Sequence, residues 1–245
     1  MSAPRIVEVA ELDLALVARP WPFAEAEAEK IAAHWRARLA AKPRLYNGRV
    51  LLLGEHALER RADGAEVLRG AFFETDYAAF IAWRDFGYPD ARVCNAFSAA
   101  ALVSQDGAFL LGEMAAHTIA AGAIYFPCGT PDPKDVFAGR VDLEQSATRE
   151  LEEETGVAAH EAAYGPAWTL VYAPPRIACI KVMRLAAPAE AIKARVDAFL
   201  AADPDAELAA MHIVRAPEDI DEKRFPRFVV DFLRYAFARG DRRSD

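Results

Sequence analysis

The sequence predicts a mixed α/β fold of the α+β kind, with a smaller N-terminal α+β region. Two observations carry this expectation. Short β-rich runs are interspersed with helix-length amphipathic segments through all 245 residues, the pattern of an α+β or mixed α/β domain. Glycine turn signals at Asn47-Gly48, Asp63-Gly64 and Asp106-Gly107 stand beside those runs, as they do where strands begin and end. At 53% hydrophobic and 27% charged residues, the chain is apolar enough to bury a core and too apolar for disorder. Its length suits one large domain or a catalytic domain with a smaller partner. The pattern changes near residue 92, which divides the chain into an N-terminal region, 1–92, and a main domain, 93–245.

In the first block, Phe23 to Ala41 has helix-forming composition, and Pro43 closes the segment. Ile31, Trp35 and Leu39 recur every fourth residue and predict one buried stripe. The apolar runs beside Asn47-Gly48 and Asp63-Gly64 read as strands. Asp76 to Asp90 reads as a helix ended by Gly87 and Pro89, with Tyr77, Phe80, Trp83 and Phe86 on a packed face. The second block opens with NAFSAAALVSQDGAFLLGEM, two strands joined at Asp106-Gly107. GAIYFP, residues 122–127, predicts another strand, and a loop rich in proline and aspartate follows. A helix from Leu143 to Thr155 comes next. Two β-rich runs then flank Pro174-Pro175. AEAIKARVDAFLAA predicts a helix, AAMHIVRA a strand, and PRFVVDFLRYAFAR a closing amphipathic helix.

Charge and cysteine content bound the partners. A net charge of -8 opposes a nucleic-acid-binding face, which needs a basic surface. It leaves phosphorylated small molecules open, because bound cations reverse a local field. Cys94, Cys128 and Cys179 are widely spaced and odd in number. They form neither a disulfide framework nor a zinc site, and fit a reducing compartment. Cys128 lies near the motif below, but reads as a small packing residue. No apolar run approaches the ~20 residues that span a bilayer, so no membrane partner is expected. Acidic residues interrupt any signal-peptide core in MSAPRIVEVAELDL, which makes a cytoplasmic protein the expectation.

The chemistry gathers in VDLEQSATRELEEETGV, residues 141–157. Asp142 is a good N-cap with Gln145 three residues on, and Gly156 stands where a left-handed residue ends a helix. Glu150, Glu153 and Glu154 fall at i, i+3 and i+4 on one helix face. Like charges at that spacing repel and cost helix stability unless a cation offsets them. Mg²⁺ or Mn²⁺ suits such a set, since hard divalent ions prefer carboxylate oxygens and bridge to phosphates. Arg149 is adjacent and suited to orient a carboxylate or meet a phosphate. Three glutamates alone describe many solvated helix faces. The whole string from Arg149 to Val157 is rarer, arising by chance in on the order of one in ten thousand chains of this length.

That string resembles the signature of the Nudix hydrolase family: a glycine, five residues, a glutamate, seven residues, then REUxEExGU with U aliphatic. RELEEETGV matches every fixed position of the last segment. GAIYFP and Pro127-Cys128-Gly129 stand where many members have a strand and Pro-Gly-Gly. The resemblance implies a Nudix fold, a mixed sheet packed between helices, and hydrolysis of a nucleoside diphosphate linked to another group. It implies Glu150, Glu153 and Glu154 as ligands of Mg²⁺ or Mn²⁺, with the Gly129 carbonyl as a further candidate. Arg149 then braces the glutamates, with Glu153, Glu154 and Arg149 as the catalytic set. Bound metal would neutralise the diphosphate and activate a water for in-line attack. A further acid from outside the motif often completes catalysis. Glu207, ahead of AAMHIVRA, is the candidate, with Asp205 and Glu218 behind it.

Two departures stand out. The signature places 14 positions between glycine and arginine, whereas Gly129 to Arg149 spans 20, so TPDPKDVFAGR carries an inserted loop and Gly129 is an open assignment. The early glutamate, which supports the arginine, falls on Val141; Asp135 and Asp142 are both placed to compensate. His117, His160 and His212 have no partner at ligand spacing. A nucleotide sugar and an ADP-ribose-like compound both stand as substrates. A second reading, a Nudix-fold module that binds a nucleotide metabolite without hydrolysing it, draws on the two departures. The intact glutamates favour the enzyme. Family members are often dimers, so a homodimer is one expectation, and the sequence leaves the oligomeric state open.

Overall fold

The β-rich runs of the two blocks alternate inward and outward, and they build two mixed sheets that exchange strands across residue 92. The computed structural model describes residues 5–240. The outer ends of both blocks, 1–4 and 241–245, and with them the start of the stretch read against a signal peptide, lie outside the described residues. In chain order the first block runs β1 (Arg5–Val9), β2 (Glu11–Leu16), α1 (Pro22–Ala26), α2 (Ala28–Ala41), β3 (Arg49–Arg60), β4 (Glu66–Asp76) and α3 (Tyr77–Asp85). The second begins with β5 (Asn95–Val103) and β6 (Phe109–Met114), then short strands β7 (Ile124–Tyr125), β8 (Cys128–Gly129), β9 (Val136–Phe137) and β10 (Arg140–Val141). Helix α4 (Leu143–Thr155) leads into β11 (Ala162–Ala173) and β12 (Arg176–Leu185). The chain continues through α5 (Ala189–Ala201) and β13 (Leu208–Val214) to α6 (Arg227–Arg239).

The larger sheet is ordered β1-β11-β12-β5-β6-β13, with β7 on β6 and β8 on β5. Its β12–β5 pair is parallel and the others antiparallel. The smaller sheet is ordered β3-β4-β2-β10-β9, with β2 and β4 parallel. From the first block, β1 crosses to the larger sheet and pairs along β11 from Arg5↔Tyr172 to Val9↔Trp168. From the second block, β9 and β10 cross to the smaller sheet through Arg140↔Ala15.

Period-two alternation sends successive residues to different cores. On β5, Phe97, Ala99, Ala101 and Val103 face α6, whereas Ala100 and Leu102 face α4 and α5. A second core lies between the sheets, where Val9, Leu14, Leu51, Phe72, Val141 and Trp168 meet. Helices α1 to α3 cover the outer face of the smaller sheet, where Trp21, just ahead of α1, and Phe80 and Trp83 of α3 pack in one core with Phe73 of β4. The mixed α/β architecture is the one the sequence predicts.

Several local expectations change. The helix expected over 23–41 is broken at Glu27, whose amide closes α1 on the Phe23 carbonyl at 3.0 Å. The break lets Phe23 fold back onto Trp21, 4.9 Å between ring centres, while Ile31 and Trp35 turn to α3. Asn47-Gly48 makes no turn. The Asn47 Oδ1 accepts from the Ala78 amide at 2.7 Å, and the Gly48 carbonyl from the Tyr77 amide at 2.9 Å, so the pair caps α3. Phe86 is the most exposed of the four, its ring meeting Phe23 and His34 edge-on at 6.5 and 5.2 Å. GAIYFP contributes only Ile124–Tyr125 as strand, because Phe126 dives into the α6 core against Phe109 and Phe232.

The insertion is also more ordered than a loop. It forms a 3-10 turn at Pro133–Asp135 and then the β9–β10 hairpin. Ala138 (φ 47°) and Gly139 (φ 77°) occupy the two central positions of that hairpin, both left-handed. Such a turn matches the twist of the strands it joins, and glycine adopts it without steric cost.

Candidate active site

Helix α4 is fixed at both ends by its own sequence. The Asp142 carboxylate accepts from the amides of Glu144 and Gln145 at 2.9 and 3.0 Å. Gln145 does not complete the expected capping box, since its Nε2 is turned to the Lys134 carbonyl at 3.4 Å. Gly156 ends the helix at φ 66°. A Cβ there would stand 2.6 Å from the Phe199 ring, so the stop doubles as a close approach to α5. Leu143, Ala147 and Leu151 face inward and Glu154 is buried among them, with Glu150 mostly buried beside it and Glu153 turned outward at the edge of the same face.

Those three glutamates line one cleft of about 140 Å³ together with Asp203, Asp205 and Glu207 from the segment before β13. Arg149 sits behind them. Its Nη1 lies 2.9 Å from Glu150 Oε1 and 3.3 Å from Glu153 Oε2. Its Nε and Nη2 donate to the two oxygens of Asp135 at 3.3 and 3.0 Å. Partial burial opposes the charge on Arg149, but the hydrogen bonds to Asp135 and the surrounding carboxylates hold it protonated above its ordinary range.

The carboxylates themselves are short of positive charge. Burial pushes Glu150 up to about 7; Arg149 pulls against this, while Glu153 and Glu207 add to it. Glu154 is 7% exposed. It is raised well above the carboxylate range, first by burial and then by Glu150, Glu207 and Glu153. Its Oε2 has no hydrogen-bond partner, an arrangement that costs free energy until a donor or cation arrives. Gly129 completes the cradle. An added Cβ would fall 2.2 Å from Glu150 Oε1, so only glycine lets the β8 backbone lie against that carboxylate. Among the described residues no three His, Cys, Asp or Glu side chains are already closed around one point, and Glu150 and Glu153 are instead turned to Arg149. A hard divalent cation fits this set: oxygen donors only, one of them orphaned, and a glycine backbone in contact.

The family model of the NUDIX domain matches residues 94–227, more than half of the chain. The chain belongs to the Nudix family. As a Nudix hydrolase it acts on pyrophosphate bonds. Similar solved structures include the MutT protein of Methanosarcina mazei Go1, 18% identical with a TM-score of 0.41 over 60% of this chain and 95% of that one. An Ap4A hydrolase of C. elegans is 15% identical with a TM-score of 0.39, over 59% and 94%. RenU, a Nudix hydrolase of M. smegmatis, is 16% identical with a TM-score of 0.39, over 59% and 84%. No match to a curated protein was found.

Within this Nudix hydrolase the residues read from sequence come together unevenly. Arg149, Glu150, Glu153, Glu154 and Gly129 form one cluster, and Glu207 lines the cleft with the glutamates. Of the acids ranked behind Glu207, Asp205 is in the same cleft, while Glu218 lies in the turn after β13. Asp142 is spent as the N-cap, and Val141 is 4% exposed in the core between the sheets. Cys128 is half-buried, its thiol pushed well up by burial and by Glu154 and Glu150, which leaves it an unreactive packing residue. His212 pairs with Glu113 Oε2 at 2.7 Å on the α6 side of the sheet, a structural contact. Sequence reasoning missed Asp203, Phe199 and Tyr125. The Tyr125 hydroxyl is pushed up by burial and by Cys128, Glu154, Glu207 and Glu150. The alternation Asp203-Pro-Asp205-Ala-Glu207 was the available signal for the first. No local pattern marks the other two.

Proposed function

We propose that the chain is a metal-dependent pyrophosphohydrolase that cleaves the diphosphate of a nucleoside diphosphate derivative by water attack. The observation that carries this is the buried, orphaned Oε2 of Glu154, a residue that lines the same cleft as Glu150, Glu153 and Glu207. In this reading Glu150, Glu153, Glu154 and the Gly129 carbonyl hold Mg²⁺ or Mn²⁺. The ion's contribution is to neutralise the diphosphate and lower the pKa of a water. Arg149 keeps Glu150 and Glu153 spread along the cleft wall. Glu207, exposed and across the cleft from α4, is the proposed base for the attacking water.

The substrate proposal is a nucleotide sugar or an ADP-ribose-like compound. The N-terminal region borders the cleft, since Arg44, ahead of β3, pairs with Asp205, and that contact gives the region a place in substrate choice. No helix among the described residues is long and apolar enough to cross a membrane. A cytoplasmic setting and a homodimer belong to the proposal, the latter open to a mass measurement in solution. The rival reading, a binding module without hydrolysis, drew on the missing glutamate at 141, and Asp135 on Arg149 removes much of that reason. Incubation with Mg²⁺ or Mn²⁺ and a panel of nucleotide sugars, ADP-ribose, dinucleoside polyphosphates and coenzyme A tests the proposal. Release of nucleoside monophosphate is expected from at least one. Tight nucleotide binding with no turnover would favour the module.

A further inference from the structure

We infer that Asp135 is the positioning residue of the glutamate cluster, and that the N-terminal sheet holds it there through the β9–β10 insertion. The inference rests on the metal-site reading above and assigns a purpose to the buried Asp135 and to the insertion that carries it. Asp135 is fully buried, at 0% exposure. Burying a carboxylate is costly unless its oxygens are paired, and here both are. Oδ1 accepts from Arg149 Nε, and Oδ2 from Arg149 Nη2 and the Asp132 amide at 3.0 Å. Arg149 spends its remaining nitrogen, Nη1, on Glu150 and Glu153. The chain of contacts therefore runs from Asp135 through Arg149 to two of the three glutamates.

Asp135 does not stand on α4 or on the sheet beneath it. Its segment is clamped from the smaller sheet at several points. The Leu51 amide of β3 donates to the Pro131 carbonyl at 2.8 Å, and the Leu16 amide of β2 to the Gly139 carbonyl at 2.9 Å. Arg140 pairs with Asp13 of β2. The Asp142 amide donates to the Asp135 carbonyl at 2.8 Å, tying the buried acid to the start of α4. Residue 141 cannot serve in its place, because Val141 belongs to the apolar core between the sheets. The insertion brings an acid to Arg149 from the other side.

Mn²⁺ binding followed by electron paramagnetic resonance tests this on the whole protein. Asp135→Asn is expected to weaken Mn²⁺ binding roughly 10- to 100-fold, the usual cost of losing an outer partner of a metal site. Its kcat on the nucleotide that wild type turns over falls as well, and part of that loss returns as Mn²⁺ is raised. Asp142→Ala, directly after β10 and losing only the side-chain cap of α4, lowers the melting temperature and leaves Mn²⁺ affinity unchanged. Arg140→Ala loosens the tie to the N-terminal sheet at an exposed position and weakens Mn²⁺ binding by a smaller factor. Folded Asp135→Asn that binds Mn²⁺ as wild type does overturns the inference alone. Unchanged binding in Arg140→Ala overturns the sheet's part in it. Wild type that takes up no Mn²⁺ overturns the metal-site reading and this inference together.

Discussion

Glu154 and Glu150 are held in a state that their own chemistry resists. Each has its proton affinity raised by burial and by neighbouring carboxylates. The consequence for stability has a definite sign. Glu150 in the unfolded chain titrates near 4.5 and in the fold at about 7, so the folded state binds the extra proton between those values. The stability this provides is full below about pH 4.5 and is lost as pH rises through 7; Glu154 acts in the same direction. In chelator, the melting temperature is therefore expected to fall from pH 5 to pH 8 by more in wild type than in Glu154→Gln. Added Mg²⁺ should restore most of the difference. Thermal melts across that range check both statements, and a flat wild-type profile in chelator would contradict them. Gly129→Ala makes a separable test. The atom an added methyl meets is the far end of a flexible glutamate, so the fold tolerates it while the carboxylate must move. Metal affinity is expected to drop roughly 10- to 100-fold with little change in melting temperature.

At the scale of elements, α4 was the most legible part of the chain and the insertion the least, for a physical reason. The ends of α4 are written locally: Asp142 caps two amides within three residues, and Gly156 takes the left-handed stop. Asp142→Ala should cost about 1 kcal/mol. Gly156→Ala should cost about 1–2 kcal/mol for the backbone, and more once Phe199 is displaced. Urea titrations measure both. The β9–β10 hairpin, by contrast, exists because Arg140 pairs with Ala15 and Asp13, residues distant in sequence, and no window of sequence contains that pairing. The break at Glu27 and the role of Asn47 were hidden in the same way, since Trp21 and the first turn of α3 decide them. The metal-facing glutamates were legible because they lie on one helix. Asp135 was legible only as one of two acids near the right place, until its burial separated it from Asp142.

For the whole molecule, the exchange of strands sets the expectation. The larger sheet holds β1 and the smaller holds β9 and β10, and a single apolar core lies between the sheets. Unfolding is expected as one transition in denaturant. Trp21 and Trp83 report from the smaller sheet's outer core and Trp168 from the core between the sheets, so fluorescence and far-ultraviolet circular dichroism should trace the same curve. Two separated transitions would show the halves folding apart. What the whole molecule does with its cleft was the least readable from sequence, because its walls come from α4, α5 and the segment before β13, with Arg44 of the N-terminal region paired to one lining acid, Asp205. The most direct test of the central claim is release of nucleoside monophosphate from the substrate panel, with Mg²⁺ or Mn²⁺, by wild type and by Glu154→Gln. Turnover by wild type that Glu154→Gln nearly abolishes is the expected result. Equal turnover by the two proteins would contradict the assignment of the site.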